Sequence, residues 1–278
     1  MAMVINTNMA SENAVRLLDQ SSREQKLSME RLTSGLRINK TADDAAGKAV
    51  VTRMDSQVRG TDMAIRNTQD GINAVQTMDG AAEEVINMMQ RMRELGIQAA
   101  NDTYTSANRA QMDQEVQQLK SEINRIASVT KFNGINLMGS AAANESQLSI
   151  HVGWETAAVN QIHIPLSNFG TGGSLYPSAI TITTQASALN AVSVLDEKIS
   201  KVTSLRAKWG AVQNRFESTI ANLQNVNENI KSSRSQIQDT DFARESANLA
   251  RTQVLQQAGM GMLSQANQQA QNVMQLLK

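Results

Sequence analysis

"LRAKWGAVQNRFESTIANLQNVNENIKSSRSQI", residues 205–237, sets Leu205, Trp209, Val212, Phe216, Thr219, Leu223, Val226, Ile230, Ser233 and Ile237 at alternating steps of four and three. That interval is a heptad seam, which keeps one stripe of side chains on one side of a helix throughout its length. Thr219 and Ser233 are its two small polar positions. At about 1.5 Å of rise per residue the helix is roughly 50 Å long. A helix so long and narrow can bury its stripe only against partners of comparable length.

Those partners are legible. Met112, Val116, Leu119, Ile123 and Ile126 repeat the same steps, as do Ile72, Val75, Met78, Ala82, Val85, Met89 and Met92 within a stretch from about 43 to 99. Near the start, Val15, Leu18, Met29, Leu32 and Leu36 form a sparser seam, weak at Ser22 and Gln25. Thr41 to Asp44 has the form of a capping box, hydroxyl first and acid three later. Asn101 to Ser106 reads as a break between helices, and Phe132-Asn133-Gly134 as a helix stop and turn.

The middle differs. Residues 139–190 are rich in Gly, Ser, Thr and Asn. Leu148, Ile150 and Val152 alternate with polar residues, as do Ile162, Ile164 and Leu166, and then Ile180 and Ile182. These patterns predict short strands with one buried face, with residues 153–160 as a hairpin connection. The expected fold is mainly α: a long antiparallel helical bundle or coiled coil with a small β-hairpin insert at about 139–190. Its expected divisions are an N-terminal helical arm at 1–42, a helical rod at 43–238 and a C-terminal helical arm at 239–278.

Composition agrees. Aromatic residues are only 3% of the chain, fewer than a large compact core uses, and both prolines, Pro165 and Pro177, lie mid-chain. The 26 basic and 26 acidic residues balance, against the basic excess of a nucleic-acid binder. The absence of cysteine excludes disulfides and thiolate metal sites. No cleavable secretory signal and no transmembrane run is visible, so these signals alone suggest a cytoplasmic, soluble protein.

The last stretch, residues 263–278, repeats Leu263, Ala266, Ala270, Val273 and Leu277 at helical intervals and carries one formal charge, Lys278. A second stripe of Met262, Ala266, Val273 and Leu276 widens the apolar face. Three readings compete: a helix docked on its own domain, a membrane-surface helix, and a helix buried against other copies of the chain. A membrane-surface helix carries Lys and Arg on its polar face. Here that face is Gln265, Asn267, Gln268, Gln271 and Asn272. Ordering roughly 80 terminal residues costs on the order of 1–2 kcal/mol each, whereas a buried Leu or Val returns only about 1.5–3 kcal/mol. The expectation is therefore arms largely disordered in the monomer and ordered on assembly.

Longer strings carry a resemblance. "SMERLTSGLRINKTADDAAGKAV" (28–50), "RNTQDGINAVQTMDGAAEEV" (66–85), "QRMRELGIQAAND" (90–102) and "TKFNGINLM" (130–138) resemble the N-terminal half of bacterial flagellin. "GAVQNRFESTIANLQNVNENIKSSRSQIQDTDFARE" (210–245) and "QVLQQAGMGMLSQANQQAQNVMQLL" (253–277) resemble its C-terminal half. The resemblance implies a structural subunit of the flagellar filament, used for motility, in a short form with inner-tube (D0) and outer-tube (D1) domains only. It implies secretion to the extracellular flagellum through the type III export apparatus without a cleaved signal. The implied partners are further copies of the chain, an export chaperone on the C-terminal arm, and the filament cap and hook-junction proteins. Filament-core packing would fall to Leu18, Leu32, Leu255, Leu263, Ala266, Val273 and Leu277.

The family's surface for Toll-like receptor 5 maps onto Arg91, Leu95 and Glu115, which could equally serve contacts between subunits. Gly96 stands where the family usually has Ala, which suggests a looser helix there. A hook–filament junction protein of the same family is the alternative reading, and a membrane-active helical protein a more distant one.

Other motifs carry little. Asp43 and Asp44 suit a helix start better than a metal site. His151 and His163 fall on strands expected to be neighbours, but no acidic or thiol cluster accompanies them, so no metal or other cofactor is expected. Metalloprotease and phosphate-loop strings are absent from the sequence. No catalytic constellation is visible, so an enzyme is not expected. Asn144 to Ser146 fits a glycosylation acceptor by chance frequency, and 171–184 is a candidate stretch for sugars on Ser or Thr.

Overall fold

The computed structural model describes residues 8–139 and 147–276, with side chains described as far as 268. The described chain runs α1 (Met9–Ser34), α2 (Ala45–Ala99), α3 (Ser106–Val129), β1 (Lys131–Phe132), β2 (Ile135–Asn136), β3 (Gln147–His151), a 3-10 turn (Ala158–Asn160), β4 (Gln161–Pro165), α4 (Gln185–Gln238) and α5 (Phe242–Leu276). Packing divides it into two compact units, residues 57–227 and, from the two ends of the chain, 1–56 with 228–278. The connections from α1 to α2 and from α4 to α5 both lie within the unit of the two chain ends.

In the unit of residues 57–227, α2, α3 and α4 share one core. All seven seam residues of α2, from Ile72 to Met92, are buried in it. On α3, Val116 and Ile123 are buried, while Met112, Leu119 and Ile126 pack against the core half-covered. Ion pairs fix α4 antiparallel to α2: Arg93 with Asp196 at 2.6 Å and Arg206 with Asp79 at 2.6 Å. Thr105 caps α3, its side chain accepting from the Asn108 N–H.

The α4 seam shifts partway along. Leu205, Trp209, Val212, Phe216 and Leu223 are buried as expected. Beyond Phe216, however, Ile220 packs against the core and Asn227 is buried, while Val226 is exposed. The steps 212, 216, 220, 223 and 227 replace one three-step by a four. A straight α-helix drifts relative to a strict heptad, and one extra step of four restores the stripe to the partner side.

The β element is built as two hairpins. Asn133 (φ 48°) and Gly134 (φ 82°) form the left-handed pair of a two-residue turn joining β1 and β2. Strands β3 and β4 pair antiparallel in the register Leu148↔Ile164 and Ile150↔Ile162, so both put their apolar side chains on one face. Trp209 Nε1 donates to the Pro165 carbonyl at 2.8 Å and ties β4 to α4.

Two local expectations need correction. Ile180 and Ile182 are buried alternately as predicted, but their segment is not a strand. Side chains of α3 satisfy its backbone instead: Asp113 Oδ1 accepts from the Ile182 N–H at 2.8 Å, and Gln117 and Lys120 donate to the Ile180 carbonyl. Thr41 is not the cap of α2. Asp44 Oδ1 accepts from the Gly47 N–H at 2.9 Å, and Asp43 Oδ2 accepts from the Asn39 and Lys40 N–H groups.

Candidate functional site

The unit formed by the two chain ends contains the first candidate surface. Helices α1 and α5 pair antiparallel. Asn8 Nδ2 donates to the Ala266 carbonyl at 3.2 Å, Ser21 Oγ donates to the Thr252 carbonyl at 3.2 Å, and Arg31 lies 3.9 Å from the buried Glu245. Within one chain each arm is thus the other's partner. The inward positions of α1 are Ser11, Ala14, Leu18, Ser21, Gln25, Ser28 and Leu32; those of α5 are Glu245, Leu249, Thr252, Gln256, Gly259, Leu263 and Ala266. Both series step by three and four. Their side chains are mostly small or polar. A Cβ at Gly259 would meet Leu18 Cδ2 at 2.8 Å, so the missing side chain lets the two helices close.

Apart from Leu18, Leu32, Leu249 and Leu263, the large apolar side chains of the arms lie elsewhere. Met9, Val15, Leu17, Leu27 and Met29 on α1, and Phe242, Val254, Leu255, Met260 and Met262 on α5, are exposed. Leu17, Leu255, Ala258 and Met262 line a groove of about 480 Å³ beside the pair. Of the residues expected to pack a filament core, Leu18, Leu32, Leu263 and Ala266 are half-buried within the pair and Leu255 is exposed. The side chain of Val273 and the whole of Leu277 lie outside the described residues, as do the side chains of Ala270 and Leu276 and the motif Asn144 to Ser146. Sequence reasoning placed Val15 and Met29 in the α1 seam, yet both point outward. The true α1 stripe runs through serines, which a hydrophobic periodicity does not register.

The corner between α1 and α2 is polar. Gly35 ends α1 in the left-handed conformation at φ 72°, and the Arg37 N–H donates to the Gln238 carbonyl at 2.7 Å. Lys40 Nζ pairs with Glu30 Oε1 at 2.6 Å. That hydrogen bond lowers the Glu30 carboxyl below its ordinary value and raises the Lys40 ammonium above its own. The Lys40 and Asn39 backbone N–H groups lower Asp43, the Lys40 bond having the larger effect.

The second candidate surface joins α2 and α3. Arg91 Nε donates to Glu115 Oε1 at 2.9 Å, and Arg91 Nη1 to Glu94 Oε2 at 3.2 Å; both acids raise the Arg91 guanidinium, Glu115 more. Arg91 and Glu115 are exposed, but Leu95 is only 3% exposed and belongs to the core. The three residues do not form one surface, because the turn from 91 to 95 carries the chain from the rim of the bundle to its seam. Gly96 faces α4. A Cβ there would meet Val192 Cγ2 at 2.9 Å, so the glycine permits close approach of α4. His151 and His163 do lie on neighbouring strands, where His163 Nδ1 is 2.8 Å from Ser149 Oγ.

Residues 5–143 match the bacterial flagellin N-terminal helical region, and residues 192–277 match the bacterial flagellin C-terminal helical region. The chain belongs to the bacterial flagellin family. It is 41% identical over 277 residues to a flagellin of Halalkalibacterium halodurans, spanning 99% of this chain and 100% of that protein. It is 38% identical over 285 residues to the flagellar filament 30.7 kDa core protein of Treponema maltophilum, again across 99% of this chain and 100% of the other. Among solved structures, the Bacillus cereus flagellin aligns with a TM-score of 0.50 and 30% identity, covering 57% of this chain and 88% of that one. A putative flagellar hook-associated protein from Vibrio parahaemolyticus shares the fold, at a TM-score of 0.56 and 11% identity over 71% of this chain and all of that one.

Proposed function

We propose that the chain is the structural subunit of a bacterial flagellar filament, and that copies polymerise by burying the outward apolar sides of α1 and α5 against one another. Family membership supports the filament role. The observation that carries the assembly mechanism is the inversion within the arm pair: Ser21, Ser28 and Thr252 are buried while Leu17, Val254, Leu255 and Met262 are exposed. Burying a Leu, Val or Met side chain is worth about 1.5–3 kcal/mol, and identical neighbours supply the missing cover repeatedly along a helix.

The finer parts of the reading follow from this assembly. The filament is extracellular, and the exposed side of α5 from Val254 onward is covered by an export chaperone before polymerisation. Cap and hook-junction proteins meet the same arms at the ends of the filament. On the rim, Arg91 and Glu115 offer a charged pair to a neighbouring subunit or to Toll-like receptor 5, with Leu95 acting from below by holding the helix in place.

Removal of residues 263–278 tests the mechanism. The truncated protein is expected to keep the circular dichroism and cooperative unfolding of the unit at 57–227, yet to form no filaments in electron micrographs after salt-induced assembly. Ordinary filaments from the truncated chain would overturn it.

A further inference from the structure

The chain has 15 methionines and no cysteine, so methionine is its only readily oxidised sulfur. Among the described residues, the most buried and the most exposed of these thioethers lie in different units. Met78, Met89, Met92 and Met138 are 0% exposed, in the core of residues 57–227. Met9, Met29, Met260 and Met262, the most exposed methionines among the described residues at 52–63%, all lie on the arm helices α1 and α5, while Met63 on α2 is 47% exposed. Met262 also lines the groove beside Leu17 and Leu255. None of the four belongs to the inward stripe that holds α1 to α5.

From this distribution we infer that Met9, Met29, Met260 and Met262 are sites of reversible sulfoxidation that switch the free subunit between assembly-competent and assembly-blocked forms. The inference rests on the filament reading above. The oxidant is a two-electron acceptor that transfers an oxygen atom, such as hydrogen peroxide. The thioether sulfur attacks one peroxide oxygen, the S–O bond forms as the O–O bond breaks, and water leaves after proton transfer. Sulfur loses two electrons and the peroxide gains them. The product is a polar, chiral sulfoxide where an apolar side chain stood. Such a group resists transfer into a packed subunit contact, whereas the inward Ser and Thr stripe and the buried core are untouched. Assembly in turn covers the four thioethers and protects them. A methionine sulfoxide reductase restores the original side chain: a dithiol reductant is oxidised to its disulfide, and the sulfoxide oxygen leaves as water.

The experiment treats purified full-length monomer with hydrogen peroxide, maps sulfoxides by peptide mass spectrometry, and follows salt-induced polymerisation. Sulfoxide is expected first at the four arm positions, and last at Met78, Met89, Met92 and Met138. The critical concentration for polymerisation should rise by roughly tenfold or more, as expected for loss of even one buried side chain. Circular dichroism should stay unchanged, and reductase treatment should restore assembly. The variant combining Met9→Leu, Met29→Leu, Met260→Leu and Met262→Leu should polymerise equally well before and after peroxide. In preformed filaments the four positions should oxidise several-fold more slowly than in monomer. Normal polymerisation of protein carrying the arm sulfoxides, or equal oxidation rates in monomer and filament, would overturn this inference alone. Untreated protein that does not polymerise would overturn the filament reading, and this inference with it.

Discussion

At the scale of single residues, neighbours in sequence do opposite work. Arg91 and Leu95 are one helical turn apart, but Arg91 is tied to Glu115 and Glu94 at the surface and Leu95 fills the seam between helices. An exposed ion pair contributes at most about 1 kcal/mol, while truncating a buried leucine costs about 2–5 kcal/mol. Arg91→Ala should therefore leave the urea midpoint nearly unchanged, and Leu95→Ala should lower it strongly. A receptor-binding assay on Leu95→Ala would then read a loosened helix. Equal, small shifts for both variants would show that Leu95 is not packed as described. The corner at residues 35–44 is a second residue-scale case. Glu30 and Asp43 titrate below their ordinary values of 4.5 and 3.8. Their contribution to folding is present above those values and is lost as pH falls through the lowered ones. Lys40 is raised above 10.5, so its part is full below that value and is lost only as pH rises through the raised one. The backbone amide shifts of Asn39 and Lys40 should accordingly be flat from about pH 5 to 10. They should move together in acid, and Asp43→Asn should abolish that acid step.

At the scale of elements, periodicity carried most of the information. The helix boundaries near 43–99 and 107–129, and the hairpin from Leu148 to Leu166, follow from apolar spacing because burial there is one-sided and apolar. The spacing fails where polar groups do the packing. Ser21, Ser28 and Thr252 form the contact between the arms, and Asp113, Gln117 and Lys120 hold the segment of Ile180 in place of a neighbouring strand. Hydrophobicity has no signal for either. The shift of the α4 seam at Ile220 is of a third kind, since Thr219 and Ile220 both fit a helix and only the partner decides which faces it. The hairpin's attachment is similarly invisible in sequence. It depends on the indole N–H of Trp209 reaching the Pro165 carbonyl, 44 residues away. Trp209→Phe keeps an aromatic ring but leaves that carbonyl without its donor, at a cost of about 1–3 kcal/mol. Hydrogen exchange should report faster exchange at Ile162 and Ile164 than in the native protein, with α3 amides little changed. Unaltered hairpin exchange would mean the strands are held by apolar burial alone.

At the scale of the whole molecule, the two compact units are built from different materials, and this predicts how the free subunit melts. The unit at 57–227 buries large side chains in quantity, among them Trp209, Phe216, Phe169, Met78 and Ile164. The unit made from the chain ends has Ile38 and Val51 near the α1–α2 corner, but its long α1–α5 seam is mainly Ser, Ala, Thr and Gln with a few half-buried leucines. Small side chains return little hydrophobic free energy, whereas the backbone of each ordered residue costs the same in either unit. Dilute monomer is therefore expected to unfold in two steps by calorimetry, with loss of α1 and α5 first and the core of 57–227 later. Polymerisation should act on the first step above all. A contact made only by folded arms stabilises them by mass action, so the first transition should move upward with subunit concentration and merge with the second in filaments. Limited proteolysis before full melting should cut within α1 and α5 and spare residues 57–227. A single, concentration-independent transition would show instead that the serine seam holds the arms as firmly as the apolar core holds the rod, and that assembly is not what completes their folding.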